Sequence, residues 1–319
     1  MTRRQPMGAR HLISMDDLSD TDIVAVARAG ARMARGEHDH PLAGQVVGVY
    51  FARTSTRTRT AFSSGALRLG ARLIAYGPGD LQLNTGETTE DTGRVLSGML
   101  DVLVARTAAD QAEMRGWAGQ DRMSVVNAMS AQEHPTQALA DLTTLYRHFG
   151  RLHDLHLLYV GEGNNTATAL ALAMTRLPGT TLELRTPPGY GLPADLAARA
   201  HAQAARTGAV IVERHDMDQL PKDVDAIYTT RWQTTGTSKP DPDWRTVFAP
   251  FQVTADLWRH SPHAVFLHDL PAHRGEEVSA DVLDGPASLA FFQAENKMYS
   301  AMAVLDWCRS IAPGEDETA

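Results

Sequence analysis

Residues 45–70 read QVVGVYFARTSTRTRTAFSSGALRLG, and this stretch holds a strand, a polar loop and a helix in succession. QVVGVYF (45–51) is a short apolar run rich in β-branched and aromatic residues, as buried strands are. A helix is expected over 59–70. Between them lies TSTRTRT (54–60). A helix N-terminus offers unpaired backbone N–H groups and a partial positive charge. Ser55, Thr56 and Thr58 add hydroxyl donors, and Arg57 and Arg59 add cationic forks. That set suits a phosphate dianion. The plainer reading is a capped helix with solvated arginines, but a cap accounts for one hydroxyl, not three interleaved with two arginines.

Outward from this stretch the same alternation recurs. Further strands are expected at DVLVAR (101–106), LHLLYVG (155–161), TLELRT (181–186), AVIVE (209–213), AIYTT (226–230) and AVFLHDL (264–270). Helices are expected over 87–100, 134–149, 166–176 and 192–206. This is the pattern of βαβ units and parallel sheets, and the predicted fold is α/β, with two Rossmann-like domains joined by interdomain helices. HPTQALADLTTLYRHFG (134–150) places Leu139, Leu142, Tyr146 and Phe149 at helical spacing and ends on Gly150. A fresh strand follows, so the first domain is set at residues 1–150 and the second at 151–294. A last helix over about 295–311 is long enough to pack back onto the first.

Composition narrows the function classes. The chain has 319 residues, with 30 Lys and Arg against 38 Asp and Glu, and a net charge of −8. That balance carries no electrostatic footprint for nucleic acid or an anionic membrane. No run approaches the roughly 20 apolar residues of a membrane span. Cys308 is the single cysteine, which leaves no intrachain disulfide and no cysteine metal cluster. The start, MTRRQPMGARHLISMDD, has no apolar stretch behind its basic residues and does not read as a secretory signal. A cytoplasmic protein without a metal is expected.

Three further constellations carry polar chemistry. His134 and Gln137 begin a helix three residues apart and share one face, where both could donate to a carbonyl oxygen. Taken alone, a histidine bonded to a nearby backbone carbonyl is the preferred reading. Gly161-Glu162-Gly163-Asn164-Asn165 opens like a dinucleotide fingerprint, but Thr166 stands where the third glycine belongs. The paired asparagines suit a small polar group such as a carboxylate. His268-Asp269-Leu270-Pro271 lies at a strand C-terminal end, where Asp269 is either a partner or base for an amine or a turn cap.

Together these segments resemble the aspartate/ornithine carbamoyltransferase family, in the family's order and across nearly the whole chain. FARTSTRTRTAF (51–62) is similar to its carbamoyl-phosphate loop, HPTQALADL (134–142) to its carbonyl-polarising helix, and QLNTGETTEDTGRVLSGMLDVLVAR (82–106) to its swinging loop, following helix and arginine-ending strand. The resemblance implies that Ser55, Thr56, Arg57 and Thr58 hold phosphate and that Thr58, Arg106, His134 and Gln137 contact the carbamoyl group. It further implies a homotrimer in which Gln82 reaches a neighbouring subunit's phosphate, and a Glu87 that pairs with the phosphate-loop arginine. Lys297 stands where ornithine enzymes place an arginine near the carbamoyl group.

The acceptor half departs from the family. GEGNN and HDLPAHRGEEV (268–278) are ornithine-type, but Asp269 replaces a cysteine. Thr230-Arg231-Trp232-Gln233-Thr234-Thr235-Gly236 lacks the ornithine-type aspartate and Ser-Met pair, and its Thr-Arg-x-Gln looks like the aspartate type. The expected acceptor set is Asn164, Asn165, Thr230, Arg231, Gln233, Asp269 and Leu270, with Arg231 holding a carboxylate and Asp269 an amine. A short diamino acid such as 2,3-diaminopropionate satisfies both contacts. The implied reaction is amine attack on carbamoyl phosphate, giving a ureido product and phosphate without a cofactor. The alternatives are ornithine carbamoylation to citrulline, a silent carbamoyl-phosphate-binding regulatory protein, and a nicotinamide enzyme resting on Gly161 and Gly163 alone.

Overall fold

The computed structural model describes residues 9–81, 86–233, 238–239 and 241–310. The first sheet contains β1 (Val46–Phe51), β2 (Arg72–Tyr76), β3 (Val102–Arg106) and β4 (Ser124–Asn127), all parallel, in the order β2-β1-β3-β4. Its helices are α1 (Asp20–Met33), α2 (Arg57–Arg68), α3 (Thr89–Leu96), α4 (Ala112–Trp117) and α5 (Pro135–Phe149). The second sheet contains β5 (His156–Val160), β6 (Thr181–Arg185), β7 (Val210–Arg214), β8 (Ala226–Thr229) and β9 (Val265–His268), again parallel, in the order β7-β6-β5-β8-β9. With it go α6 (Asn165–Met174), α7 (Ala194–Thr207), α8 (Trp244–Phe248), α9 (Ala280–Leu283) and α10 (Ala290–Arg309).

Burial explains which strands announced themselves. VLVAR of β3 is buried throughout, so both faces demand apolar residues and the run is continuous. β2 is an edge strand, RLIAY, that leaves Arg72, Ile74 and Ala75 exposed, and β4 has only four residues. Neither appears among the expected strands. α1 is a further addition, begun by a capping box in which Ser19 and Asp22 exchange bonds with each other's backbone. Gly150 closes α5 in the left-handed region at φ +72°, a conformation that favours glycine. α10 begins at Ala290, more than a turn before the expected 295, and packs on α1, α2 and α5.

In each sheet the chain reverses its lateral direction once. In the first this happens between β1 and β3, in the second between β5 and β8. Open parallel sheets bind ligands in the crevice beyond the strand C-terminal ends at such a switch point. The last residue of β3 and the loops after β1, β4, β5, β8 and β9 all contribute to one cavity.

Candidate active site

That cavity has a volume of about 360 Å³ and is lined by Thr54–Thr58, Arg106, Met129, His134, Asn164–Thr166, Thr230, Arg231, Asp269–Pro271 and Lys297. Its charged side chains are four cations, Arg57, Arg106, Arg231 and Lys297, facing one carboxylate, Asp269. Such a wall is built for an anion.

The loop after β1 delivers its hydroxyls at the start of α2. Thr56 is the N-cap residue, yet its side chain makes no capping hydrogen bond, so the helix does not use up the hydroxyl. No acidic residue occupies the first turn, where Arg57 and Arg59 sit instead. Cations at a helix N-terminus are locally unfavourable by about 0.3–1 kcal/mol each, which makes sense where an anion is to be bound. Arg57 lines the cavity, and burial lowers its pKa with Asp269 opposing. Arg59 is exposed and lies outside the cavity wall, so the second cationic fork expected at this loop is not in the site.

Arg106 ends β3 and reaches Ser55 Oγ with Nη1 at 3.4 Å. Its Nε is buried without a hydrogen-bond partner, as is that of Arg231. Buried donors of this kind normally find partners, and two of them at one cavity call for an acceptor from a ligand. Burial pulls the Arg106 guanidinium down to about 10, with Asp269 opposing and Arg57 adding to the shift. His134 caps α5, and Thr136 Oγ1 lies 3.3 Å from its Nδ1. Burial, with Lys297 and Arg106 beside it, holds this imidazole well below its ordinary pKa, in the neutral form.

Gln137 corrects the sequence reading. It is buried behind the wall, not on it. Its Nε2 donates to Asp141 at 2.7 Å, and its Oε1 accepts from Lys297 Nζ. Lys297 is the group that reaches the cavity, and burial brings its pKa to about 8.

On the other side, Gly163 of GEGNN serves packing. A Cβ on Gly163 would lie 2.3 Å from the backbone carbon of Gly191, so the close approach is to the protein's own loop and not to a pyrophosphate. Asn164 caps α6, its Oδ1 accepting from Thr166 and Ala167 N–H, and its Nδ2 donates to Thr230 Oγ1 at 3.0 Å. Asn165 donates to Ser130 O at 2.8 Å, across to the first sheet. Thr230 is also 3.0 Å from Tyr159 OH, so it props the wall as well as forming it. Gln233 is not among the residues that line the cavity. Asp269 accepts from Thr166 Oγ1 at 3.1 Å, and Leu270 follows it with φ +53°.

Two expectations fall elsewhere. Gln82, Thr234, Thr235 and Gly236 lie outside the described residues. Glu87 accepts from Thr92 Oγ1 at 2.7 Å and, among the described residues, forms no ion pair with an arginine. A feature that sequence reasoning missed is Lys239. It pairs with Glu162 at 2.6 Å while its Nζ lies 4.6–5.3 Å from the Tyr190, Trp244 and Phe248 rings.

Comparison with known proteins agrees with this geometry. The family model described as "Aspartate/ornithine carbamoyltransferase, carbamoyl-P binding domain" matches residues 10–147. The corresponding "Asp/Orn binding domain" model matches 153–308. A protein of Symbiobacterium thermophilum named ornithine carbamoyltransferase is 38% identical over 303 residues, 93% of this chain and 96% of that protein. The solved ornithine carbamoyltransferase of Pyrococcus furiosus superposes with a TM-score of 0.87 at 35% identity, covering 95% of this chain and 97% of that one. That of Gloeobacter violaceus gives 0.84 at 34%, covering 97% and 100%.

Proposed function

The chain belongs to the aspartate/ornithine carbamoyltransferase family and is a carbamoyltransferase; from that premise we propose that it carbamoylates the δ-amine of ornithine, giving citrulline and phosphate. The observation that carries the donor side is the partnerless buried Nε of Arg106, within a wall of four cations. The names of the relatives, matched over nearly the full chain, support ornithine as acceptor.

In this reading Ser55, Thr56, Arg57 and Thr58 receive the phosphate at the α2 N-terminus. Arg106 and neutral His134 donate to the carbonyl oxygen, with Thr58 beside them. We assign the imidazole proton to Nε2; in that tautomer Nδ1 accepts from Thr136 Oγ1. The neutral amine forms a C–N bond to the carbonyl carbon, and the C–O bond to phosphate then breaks with its electron pair leaving on phosphate. The amine nitrogen passes its extra proton to the departing phosphate as the ureido product forms. Donors already aimed at the developing oxyanion typically supply the largest share of such a rate enhancement.

A shorter diamino acid is the second reading, and Asp269 favours it. The carboxylate stands in the same wall as Arg57, Arg106 and Lys297, so an ammonium it holds is close to the donor, while Arg231 is free to take a carboxylate. A panel of ornithine, 2,3-diaminopropionate, 2,4-diaminobutyrate, aspartate and lysine with carbamoyl phosphate decides. Preference for ornithine by kcat/KM upholds the first reading, and preference for a shorter chain replaces it with the second. A cytoplasmic location and a homotrimer belong to the same proposal, and exposed Leu67, Ile74, Val95 and Met99 in the first half of the chain support self-association. Sedimentation equilibrium checks the trimer. No described helix is long and apolar enough to cross a membrane.

A further inference from the structure

Behind the cavity, α5, β8 and α10 meet on one buried carboxylate. Asp141 accepts hydrogen bonds from Gln137 Nε2 at 2.7 Å, Gln293 Nε2 at 2.6 Å and Tyr228 OH at 3.0 Å. None of these four side chains lines the cavity. Both glutamines, however, pass the connection on. Gln137 Oε1 accepts from Lys297 Nζ, on the cavity wall. Gln293 Oε1 accepts from His268 N at 2.8 Å, and His268 Nδ1 accepts from Leu270 N at 2.8 Å. That second branch braces the loop that carries Asp269 and Leu270.

An amide side chain has a donor end and an acceptor end, and an acceptor-only partner chooses between them. With Nε2 committed to Asp141, each glutamine must turn its oxygen the other way. One oxygen meets Lys297 and the other meets the backbone N–H of His268. A single anion therefore sets two amides, one behind a cation of the donor side and one behind the acceptor loop. We infer that Asp141 is a positioning residue for the transfer, fixing Lys297 and the Asp269–Leu270 loop in register so that donor carbonyl and acceptor amine meet. The inference rests on carbamoyl transfer occurring in this cavity.

Packing alone does not account for a charge at this place. Burying a carboxylate costs free energy, and well-packed apolar residues often stabilise as well or better. Burial pushes Asp141 up to about 7 against the pull of its three hydrogen bonds. Three donors converge on it, so the ionised form is the one this geometry serves.

The test is Asp141→Asn in the full chain, with fold checked by circular dichroism and thermal unfolding. The side chain keeps its shape but turns an N–H toward converging N–H groups. With the acceptor preferred by the wild type, kcat should fall about 10- to 100-fold. The double variant with Lys297→Met should lose clearly less than the product of the two single losses, because the Gln137 branch is shared and only the Gln293 branch is left to lose. The pH profile supplies a readout that a merely structural role would not move. Lys297 faces Asp269 and Asp141, which raise its pKa, and Arg106 and Arg57, which lower it, with His134 also adjacent. Losing the Asp141 charge moves the alkaline loss of activity to lower pH.

Activity within twofold of wild type, or effects that multiply in the double variant, would overturn the inference. If the asparagine variant does not fold, Tyr228→Phe removes one hydrogen bond to Asp141 and leaves the ring. It should lower kcat about threefold with the same coupling to Lys297, and an unchanged kcat is again fatal. A wild type silent toward every acceptor would bring down the transfer reading itself. An active wild type beside an equally active variant defeats only this inference.

Discussion

On the side of the first sheet, the cavity wall comes mainly from five consecutive residues, Thr54–Thr58, joined by Arg106 from a neighbouring strand end and His134 from a helix start. On the side of the second, the wall is collected from three separate short segments, at the ends of β5, β8 and β9. The donor side presents groups that the fold leaves unspent, such as a helix-start hydroxyl that caps nothing and an Arg106 Nε without a partner. The acceptor side is more tied to itself, with Asn164 on Thr230 and Thr166 on Asp269. A phosphate needs many donors at one point, which a helix N-terminus supplies almost by itself. An amino acid needs a cation and an anion held a set distance apart, which only tertiary structure supplies.

The largest effect should come from the donor side. Arg106→Ala removes a buried cation that donates to the carbonyl in the proposed mechanism, and should lower kcat about 100- to 1,000-fold, for every acceptor equally, as measured by phosphate release. Dependence of that loss on the acceptor would break the division of labour between the two walls.

Asp269→Ala should act on the other wall. KM for the amine should rise roughly tenfold or more, the worth of a charge-assisted hydrogen bond or two, while binding of inorganic phosphate measured by calorimetry holds or tightens, since the one opposing carboxylate is gone. A weaker phosphate affinity with unchanged acceptor KM would move Asp269 to the donor side.

How far the sequence could be read follows the same line. TSTRTRT was legible because its groups are contiguous and stand before a helix. Buried β3 was legible because burial on both faces demands an unbroken apolar run, whereas edge strand β2 mixes exposed and half-buried residues and carries no such signal. Asp141 and Gln293 meet across 152 residues, and no local pattern announces that contact. A signal did exist for Gln137, since Asp141 follows it by one helical turn and competes for its amide. Arg231 and Asp269 could be named as residues but not as a distance, which is why the acceptor's length was the part left to experiment.

Lys297 connects the two walls and gives them a pH dependence. It is buried, with a pKa of about 8 against an unfolded value of 10.5. The folded pKa is depressed, so between about 8 and 10.5 the unfolded chain binds more protons than the native one. This group's contribution to stability therefore rises with pH across that window. Phosphate affinity should move the opposite way and weaken as pH passes about 8 and the cation is lost. Phosphate titrations and thermal unfolding between pH 7 and 10, set against Lys297→Met, check both signs. A variant that keeps the alkaline fall in affinity would assign it to another group.

The smallest effect is the sharpest test of how α2 works. Arg57 and Arg59 both occupy its first turn, and both oppose the positive end of the helix. One lines the cavity, and the other is exposed outside it. Replacing either by alanine keeps helix propensity nearly constant, so removal of the misplaced charge should stabilise the protein by about 0.3–1 kcal/mol in each case. Function should separate the pair. Arg59→Ala should keep kcat/KM within about twofold, as exposed substitutions away from a site do, whereas Arg57→Ala should gain its stability at the expense of phosphate binding. Equal losses of activity would mean that the cationic turn acts through its summed field. A loss confined to Arg57 would mean that one guanidinium, held half-buried against the opposing Asp269, makes the contact.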